Sequence, residues 1–163
     1  MKKERVYLNE KNFVGLTGRT SFALEQDPAT ATLGPLVQQY FKEGFADKIP
    51  NRKNPGDTII LYTNYDSNYQ GSYLFGIGEE VFDDKTNHWG EQMMIPKGPY
   101  LKFTTKPGPM PKVVVDAWKA IWALEEKGDL GGERRYNVDF ELYGERAADP
   151  LKTVVDIFIG IKD

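Results

Sequence analysis

Two short segments have the apolar spacing of amphipathic helices, and each has a proline near its start. The rest of the sequence is typical of strands and turns. The first has Pro35 in its opening turn and ends near Gly44, and its apolar side chains fall at helical spacing: Leu33, Leu36, Val37, Tyr40 and Phe41. The second opens at Pro111, and its apolar positions are Val114, Trp118, Ile121, Trp122 and Leu124. We therefore predict two helices, each of which must bury one face against the rest of the fold.

Six runs typical of β-strands surround the predicted helices. Their limits are Phe13 to Gly18, Thr58 to Thr63, Ser72 to Phe82, Tyr100 to Thr105, Asn137 to Gly144 and Thr153 to Ile161. The element order is thus β-α-β-β twice, although the two halves share no convincing residue-level repeat. This order favours an α+β fold, in which one antiparallel sheet carries both helices on one face. No linker divides the chain, so residues 1–163 are predicted to form a single domain.

The charge and the rarest residues exclude several classes of function. The net charge is −3 at pH 7 and the basic residues are scattered, which argues against direct binding of nucleic acid. The chain has no cysteine and one histidine, so thiol catalysis and cysteine metal sites are excluded, and neither a metal nor a cofactor is predicted. No apolar run reaches the about 18–20 residues that cross a membrane, and no signal-peptide pattern follows Met1. A cytoplasmic location is predicted, because a reducing compartment suits a chain without disulfides.

The segment from Val138 to Tyr143 carries the clearest candidate for binding chemistry. Its alternation places the apolar side chains on one face of a strand and Asp139, Glu141 and Tyr143 on the other. A carboxylate beside an aromatic ring contacts a cation through its charge and through the π-face of the ring, which contributes about 0.5–2 kcal/mol. The alternative is that Glu141 is a solvated residue on an exposed sheet face, since glutamate is seldom buried without a partner.

Aromatic side chains crowd the predicted hairpin and the second predicted helix. Tyr62, Tyr65, Tyr69 and Tyr73 bracket the hairpin, and Trp118 lies on the helix. Such residues usually pack in a core or across strands, but they also wall apolar ligand pockets. The sequence leaves both interpretations open for each of them.

Trp89 stands apart from the other aromatic residues, because it lies in a polar loop beside His88 and Gly90. It is either a lid over a pocket or a ring that folds back onto the core. His88 has no second histidine to join it, so a metal or haem role for it is weak.

Nucleophilic catalysis has little support in the sequence. No Gly-x-Ser-x-Gly motif occurs, and Gly76-Ile77-Gly78 lacks the third glycine of a dinucleotide-binding loop. Those glycines lie within a strand run, where they mark a close backbone approach or a bulge. The open alternative is acid–base chemistry by Glu141 with Tyr143 or a nearby tryptophan, because a carboxyl group surrounded by aromatic rings has a raised pKa. A non-catalytic binding domain is the favoured interpretation.

Seven short motifs span nearly the whole chain in a familiar order. They are Phe13-Val14-Gly15, Leu33-Gly34-Pro35-Leu36, Tyr73-Leu74-Phe75-Gly76-Ile77-Gly78, Ile95-Pro96-Lys97-Gly98-Pro99-Tyr100, Trp118-Lys119-Ala120-Ile121-Trp122, Phe140-Glu141-Leu142-Tyr143 and the closing run from Val155 to Lys162. With these motifs the chain resembles the bacterial effector-binding domain at the C-terminus of some AraC-type transcription regulators and the gyrase-inhibitor-like (GyrI-like) proteins.

The resemblance implies a duplicated β-α-β-β fold of the SOUL/GyrI-like type, with a cleft that receives amphipathic and often cationic drug-like molecules. The acid of the family's Phe-Glu-x-Tyr segment maps onto Glu141. The predicted ligand-binding residues are Glu141, Tyr143, Trp118, Tyr62, Tyr73 and Trp89. The resemblance leaves open hydrolysis of reactive small molecules, and binding of gyrase or of a separate regulator protein. The chain has no room for a helix-turn-helix domain, so a stand-alone module is predicted, as a monomer or a homodimer.

Overall fold

The computed structural model describes residues 1–82 and 90–163, so Trp89, a predicted ligand-binding residue, lies outside the described residues. These residues form eight strands: β1 (Lys2–Leu8), β2 (Lys11–Ser21), β3 (Thr58–Thr63), β4 (Ser72–Val81), β5 (Glu91–Ile95), β6 (Gly98–Thr104), β7 (Arg134–Tyr143) and β8 (Asp156–Ile161). The α-helices are α1 (Phe22–Gln26), α2 (Leu33–Lys42) and α3 (Lys112–Glu126), and single 3₁₀ turns occur at Phe45–Lys48 and Glu145–Ala147.

The eight strands form one antiparallel sheet in the order β1-β6-β8-β7-β3-β4-β2-β5. This order shows the predicted duplication, because it is symmetric about the central pair β3–β7. Counted outwards from that pair, the first half follows the order β3, β4, β2 and the second half follows the order β7, β8, β6. Each half also has a leading strand that crosses over, since β1 pairs with β6 and β5 pairs with β2. The halves are therefore joined by the central pair β3–β7 and by a reciprocal exchange of edge strands.

The six predicted strands and both predicted helices are confirmed, with small shifts at their ends. β1, β5 and α1 were not predicted. β1 opens with four consecutive charged residues and β5 has the sequence Glu-Gln-Met-Met-Ile, so neither has the β-branched and aromatic composition typical of strands. Both lie at the ends of the sheet, where charged side chains are tolerated because they discourage pairing with other chains.

α2 and α3 cover the same face of the sheet, one over each half. α3 buries Val114, Ala117 and Ile121 against side chains of β6 and β8. α2 packs Tyr40 against residues of β2 and β4. The predicted arrangement of two helices on one face is thus confirmed, and the central strands β3 and β7 lie beneath the cleft between the helices.

The opposite face of the sheet buries its side chains against other strands. Its cluster consists of Phe13, Ile59, Leu61, Ile95, Tyr100, Val138, Phe140 and Phe158. Every one of these residues belongs to a strand, and Phe140 stacks on Phe158 with ring centroids 4.5 Å apart. Because strands alone provide the cover in the described part of the chain, we infer that the sheet curls around this cluster.

The register of β3 and β7 decides which side chains face the cleft. Ile60 lies opposite Glu141, and Tyr62 lies opposite Asp139. Side chains alternate along a strand, so Ile60, Tyr62, Asp139, Glu141 and Tyr143 all point to the helix-covered face. The β7 side chains between these positions point to the opposite face, where they belong to or pack against the cluster formed by strands. The predicted division of β7 into an apolar face and an acidic, tyrosine-bearing face is confirmed.

Candidate functional site

Glu141 is a buried carboxylate held by three uncharged donors. The residue is only 1% exposed. Its Oε2 accepts hydrogen bonds from the Tyr62 hydroxyl and the Trp118 indole Nε1, both at 2.7 Å. Its Oε1 accepts a hydrogen bond of 2.6 Å from the Tyr143 hydroxyl. The donors belong to β3, α3 and β7, so both halves of the fold assemble the site, and Glu141 is not a solvated surface residue.

Burial controls the ionisation of Glu141. Removal from water raises the pKa of its carboxyl group, and the hydrogen bonds from Tyr143, Tyr62 and Trp118 lower that pKa in part. Burial and the nearby charge of Glu141 raise the pKa of the Tyr62 and Tyr143 hydroxyls, so both tyrosines remain protonated donors. Within residues 1–82 and 90–163, no lysine or arginine forms an ion pair with Glu141.

Glu141 lines a cavity of about 430 Å³, which we call the Glu141 cavity, between α1, α3 and the central strands. Its aromatic wall is formed by Phe22, Tyr62, Tyr65, Tyr69, Tyr73, Trp118 and Trp122. Aliphatic side chains from β3 and α3, such as Ile60 and Val114, complete the lining. Clefts of about 300–1,000 Å³ with mainly apolar walls and a few polar groups are typical small-molecule sites.

The aromatic rings of the wall support one another. Tyr62 meets Trp118 and Tyr73 edge-on, at centroid distances of 5.4 and 5.7 Å. Burial raises the pKa of Tyr73 to about 12. Tyr69 stacks on Trp122 at 5.2 Å. Such contacts hold the π-faces in fixed positions, which is what a preorganised binding site requires.

A second acid on the same face of β7 has a different environment. Asp139 is fully buried and forms an ion pair of 2.6 Å with Arg134. It also accepts hydrogen bonds from the Tyr65 hydroxyl at 2.6 Å and from the backbone N–H of Gly160 at 2.9 Å. Arg134 further contacts Glu125 at 3.2 Å. This network positions Tyr65 in the wall of the Glu141 cavity.

Most of the predicted binding residues meet in this one place. Glu141, Tyr62, Tyr73 and Trp118 line the cavity. Tyr143 contacts Glu141 but does not line the same cavity, because its side chain faces a neighbouring one.

Several lining residues were missed from the sequence, among them Phe22, Glu25 and Arg134. Phe22 lies outside the predicted strands and helices, and the serine before it is a helix N-cap whose Oγ accepts a hydrogen bond from the Leu24 N–H at 3.2 Å. That N-cap residue type was the available signal for a helix start. Glu25 accepts hydrogen bonds of 3.0 Å from the backbone N–H groups of Thr32 and Leu33, and so caps α2. Arg134 precedes the predicted start of its strand, because β7 begins three residues before Asn137.

The described residues contain no group of three or more His, Cys, Asp or Glu side chains able to hold a metal ion. None of the helices in that part of the chain combines the length and the apolar character that crossing a membrane requires.

Residues 5–161 match the family model of the integron-associated effector-binding protein, Cass2. The chain is 31% identical over 157 residues to YobU of Bacillus subtilis strain 168, provisionally assigned as a transcriptional regulator; the match covers 96% of this chain and 95% of YobU. The fold is similar to that of the integron cassette protein VCH_CASS2 of Vibrio cholerae, with a TM-score of 0.76, 24% identity and coverage of 98% of this chain and 95% of the other. It is also similar to SAV2435 bound to tetraphenylphosphonium, with a TM-score of 0.73, 15% identity and coverage of 99% and 94%. The chain therefore belongs to the Cass2 family of effector-binding proteins and has the GyrI-like fold.

Proposed function

We propose that this protein binds an amphipathic cation in the Glu141 cavity and acts as a non-catalytic effector-binding module. The observation that carries the proposal is the contrast between two acids of β7. Asp139 is neutralised by Arg134, whereas Glu141 has only uncharged donors among residues 1–82 and 90–163. A buried charge without a counter-ion is costly, and a cationic ligand supplies the missing partner.

The aromatic walls define the kind of cation. Small inorganic cations need several oxygen ligands to replace their hydration shell, and both carboxylates that line the cavity, Glu25 and Glu141, already accept hydrogen bonds from the protein. Two basic residues, Lys119 and Arg134, also line the cavity, and Arg134 is paired with Asp139. A large, weakly hydrated organic cation buries apolar surface against the same walls and gains cation–π attraction. Tetraphenylphosphonium, found bound to the structural neighbour SAV2435, is a cation of this class.

The hydrogen bonds of Glu141 favour a quaternary over a primary ammonium group. A carboxylate has about four lone-pair positions, and three hydrogen bonds already use most of them. A ligand with several N–H donors would compete with Tyr62, Tyr143 and Trp118 for these positions. A quaternary phosphonium or ammonium ion needs no such hydrogen bond and interacts by charge alone.

A separate regulator protein is the partner that we propose for the ligand-bound state. YobU is provisionally assigned to transcriptional regulation, and the net charge of −3 disfavours direct contact between this chain and DNA. Gyrase, the other partner implied by the GyrI-like resemblance, is distinguished from it by affinity capture with each purified protein, with and without the bound cation.

Two ions of the same shape and opposite charge test the binding proposal. Tryptophan fluorescence reports titration with tetraphenylphosphonium or with tetraphenylborate, since Trp118 and Trp122 both line the cavity. We expect the phosphonium to bind and the borate to bind at least about tenfold more weakly, a difference of about 1.4 kcal/mol. Glu141→Gln should remove this preference, whereas the matched surface change Glu10→Gln should retain it.

Equal affinity for the two ions, or unchanged phosphonium affinity in Glu141→Gln, would contradict the proposal.

A fluorogenic carboxylic ester incubated with the protein separates binding from turnover. Recovery of the intact ester is expected, whereas product formation that Glu141→Gln abolishes would establish hydrolysis instead.

A further inference from the structure

A second cavity of about 430 Å³ lies beside the Glu141 cavity, where the cleft continues towards the end of α2. Ile60 lines both cavities. Tyr143 lines the second cavity, while its hydroxyl donates to Glu141 in the first. Ile60 and Tyr143 thus form the partition, and α2 contributes Val37 and Phe41 to the wall of the second cavity.

The uncharged lining of the second cavity suits an apolar ligand. It includes Ile77 from β4, Pro55 from the loop before β3 and Ala147 from the turn after β7. Phe41 is 61% exposed although it is a large aromatic residue on a helix. An exposed ring in a cavity wall leaves apolar surface and a π-face available to a ligand.

The charged groups in the second cavity are carboxylates alone. Asp57 and Glu145 line it, and no lysine, arginine or histidine of the described residues does so. The Oδ1 atom of Asp57 lies 3.5 Å from the position that a Cβ on Gly144 would take, so this half-buried carboxylate rests against the cavity wall. Neither acid has a hydrogen bond or ion pair to its side chain within residues 1–82 and 90–163. The neighbouring Arg146 pairs with Asp156 instead.

We propose that the second cavity is a separate site for an amphipathic cation, so that one chain binds two cations, one on each side of the Ile60–Tyr143 partition. The half-buried Asp57 and the exposed Glu145 lie in a wall to which the described residues add no positive charge, so the second cavity favours a cation over an anion. Phe41 and the aliphatic lining select an apolar body. The ligand class of this second site rests on the function proposed for the Glu141 cavity. The charged residues of the second site are different from Glu141, so the two sites can be tested separately.

Equilibrium dialysis against radiolabelled tetraphenylphosphonium measures the number of bound ions. The wild-type chain should bind two at saturation. Asp57→Asn/Glu145→Gln should bind one, with the affinity of the Glu141 cavity retained, because neither residue lines that cavity. Ala148→Trp, which fills the second cavity without changing its charge, should also bind one. The control Glu10→Gln/Asp163→Asn also removes two negative charges, but at exposed positions outside both cavities, so it should bind two ions.

Glu141→Gln distinguishes the two proposals. If it loses one of two ions and the double variant loses the other, both proposals stand. If Glu141→Gln binds as the wild type does while the double variant loses one ion, the second site stands and the proposed function fails. Wild-type saturation at one ion, or wild-type stoichiometry in the double variant, overturns the second site. Thermal unfolding of each variant verifies that it is folded.

Discussion

Glu141 and Asp139 project from the same face of one strand, yet in the part of the chain that the structure describes only Asp139 has a cationic partner. The hydrogen bonds of Glu141 stabilise its negative charge, but burial outweighs them, so the pKa of its carboxyl group is raised. A ligand cation would act in the opposite direction and lower that pKa. Binding of the cation and release of the proton are therefore linked.

This linkage predicts that cation affinity depends on pH. Between the lower pKa of the complex and the raised pKa of free Glu141, the free carboxyl group is protonated and the bound one is ionised. Each complex formed in that window releases a proton, so the affinity for tetraphenylphosphonium should fall as the pH falls, by up to about tenfold per pH unit. Calorimetry in two buffers with different ionisation enthalpies measures the protons released. The same affinity from pH 7 to pH 4.5, with no proton release, would contradict the linkage.

The sequence could predict which face Glu141 occupies but not most of what surrounds it. Alternation along β7 is a local property, and it identified the acidic face. The partners of the two acids are distant in the chain, since Tyr62 and Tyr65 are 79 and 74 residues from the carboxylates that they contact. Single-sequence periodicity carries no information on such pairs. The sequence analysis weighed Glu141 as the candidate acid from its place beside Tyr143, and the family resemblance strengthened that choice over Asp139.

The glycines of β2 and β4 show how closely two neighbouring strands approach. Gly15 lies directly opposite Gly78 in the register of this pair. A Cβ on Gly78 would lie 2.0 Å from the carbonyl oxygen of Val14, a distance that no side chain tolerates. The close approach predicted from Gly76-Ile77-Gly78 is confirmed between β4 and β2, and the other edge of β4 pairs with β3, which carries Tyr62.

Gly78→Ala should therefore destabilise the fold, whereas Gly34→Ala should not. The first change forces the strands apart, which we expect to lower the free energy of unfolding by about 1–3 kcal/mol. Gly34 lies in α2 with no heavy atom within 4 Å of an added Cβ, so alanine should stabilise the helix by up to about 1 kcal/mol. Urea unfolding measures both changes. Equal midpoints for the wild type and Gly78→Ala would show that the strands accommodate a methyl group.

The Glu141 cavity belongs to neither half of the duplicated fold alone. Glu141 and Trp118 come from the second half, and Tyr62 and Phe22 come from the first. The central pair β3–β7 and the exchanged strands β1 and β5 hold the halves in register, so unfolding of either half disassembles the cavity. A ligand that binds only the folded state must then stabilise the entire domain.

Glu141→Gln should therefore separate the stability of the free protein from the stability that a ligand adds. In the wild type the raised pKa means that the folded state binds the Glu141 proton more tightly than the unfolded state does, so stability is lost as the pH rises from the unfolded pKa through the folded one. A neutral glutamine avoids this loss, and its carbonyl oxygen can accept from Tyr62 and Trp118 while its amide donates to the Tyr143 oxygen.

We expect the ligand-free variant to melt at a higher temperature than the wild type at pH 8, with a difference that shrinks as the pH falls towards 4.5. Tetraphenylphosphonium at 100 times its dissociation constant should stabilise the wild type by about 2.7 kcal/mol and the variant by much less. Differential scanning calorimetry at both pH values, with and without the cation, measures these four differences. A ligand-free variant less stable than the wild type at pH 8 would mean that the three hydrogen bonds outweigh the burial of the charge. In that case the reason for expecting a cation at Glu141 disappears.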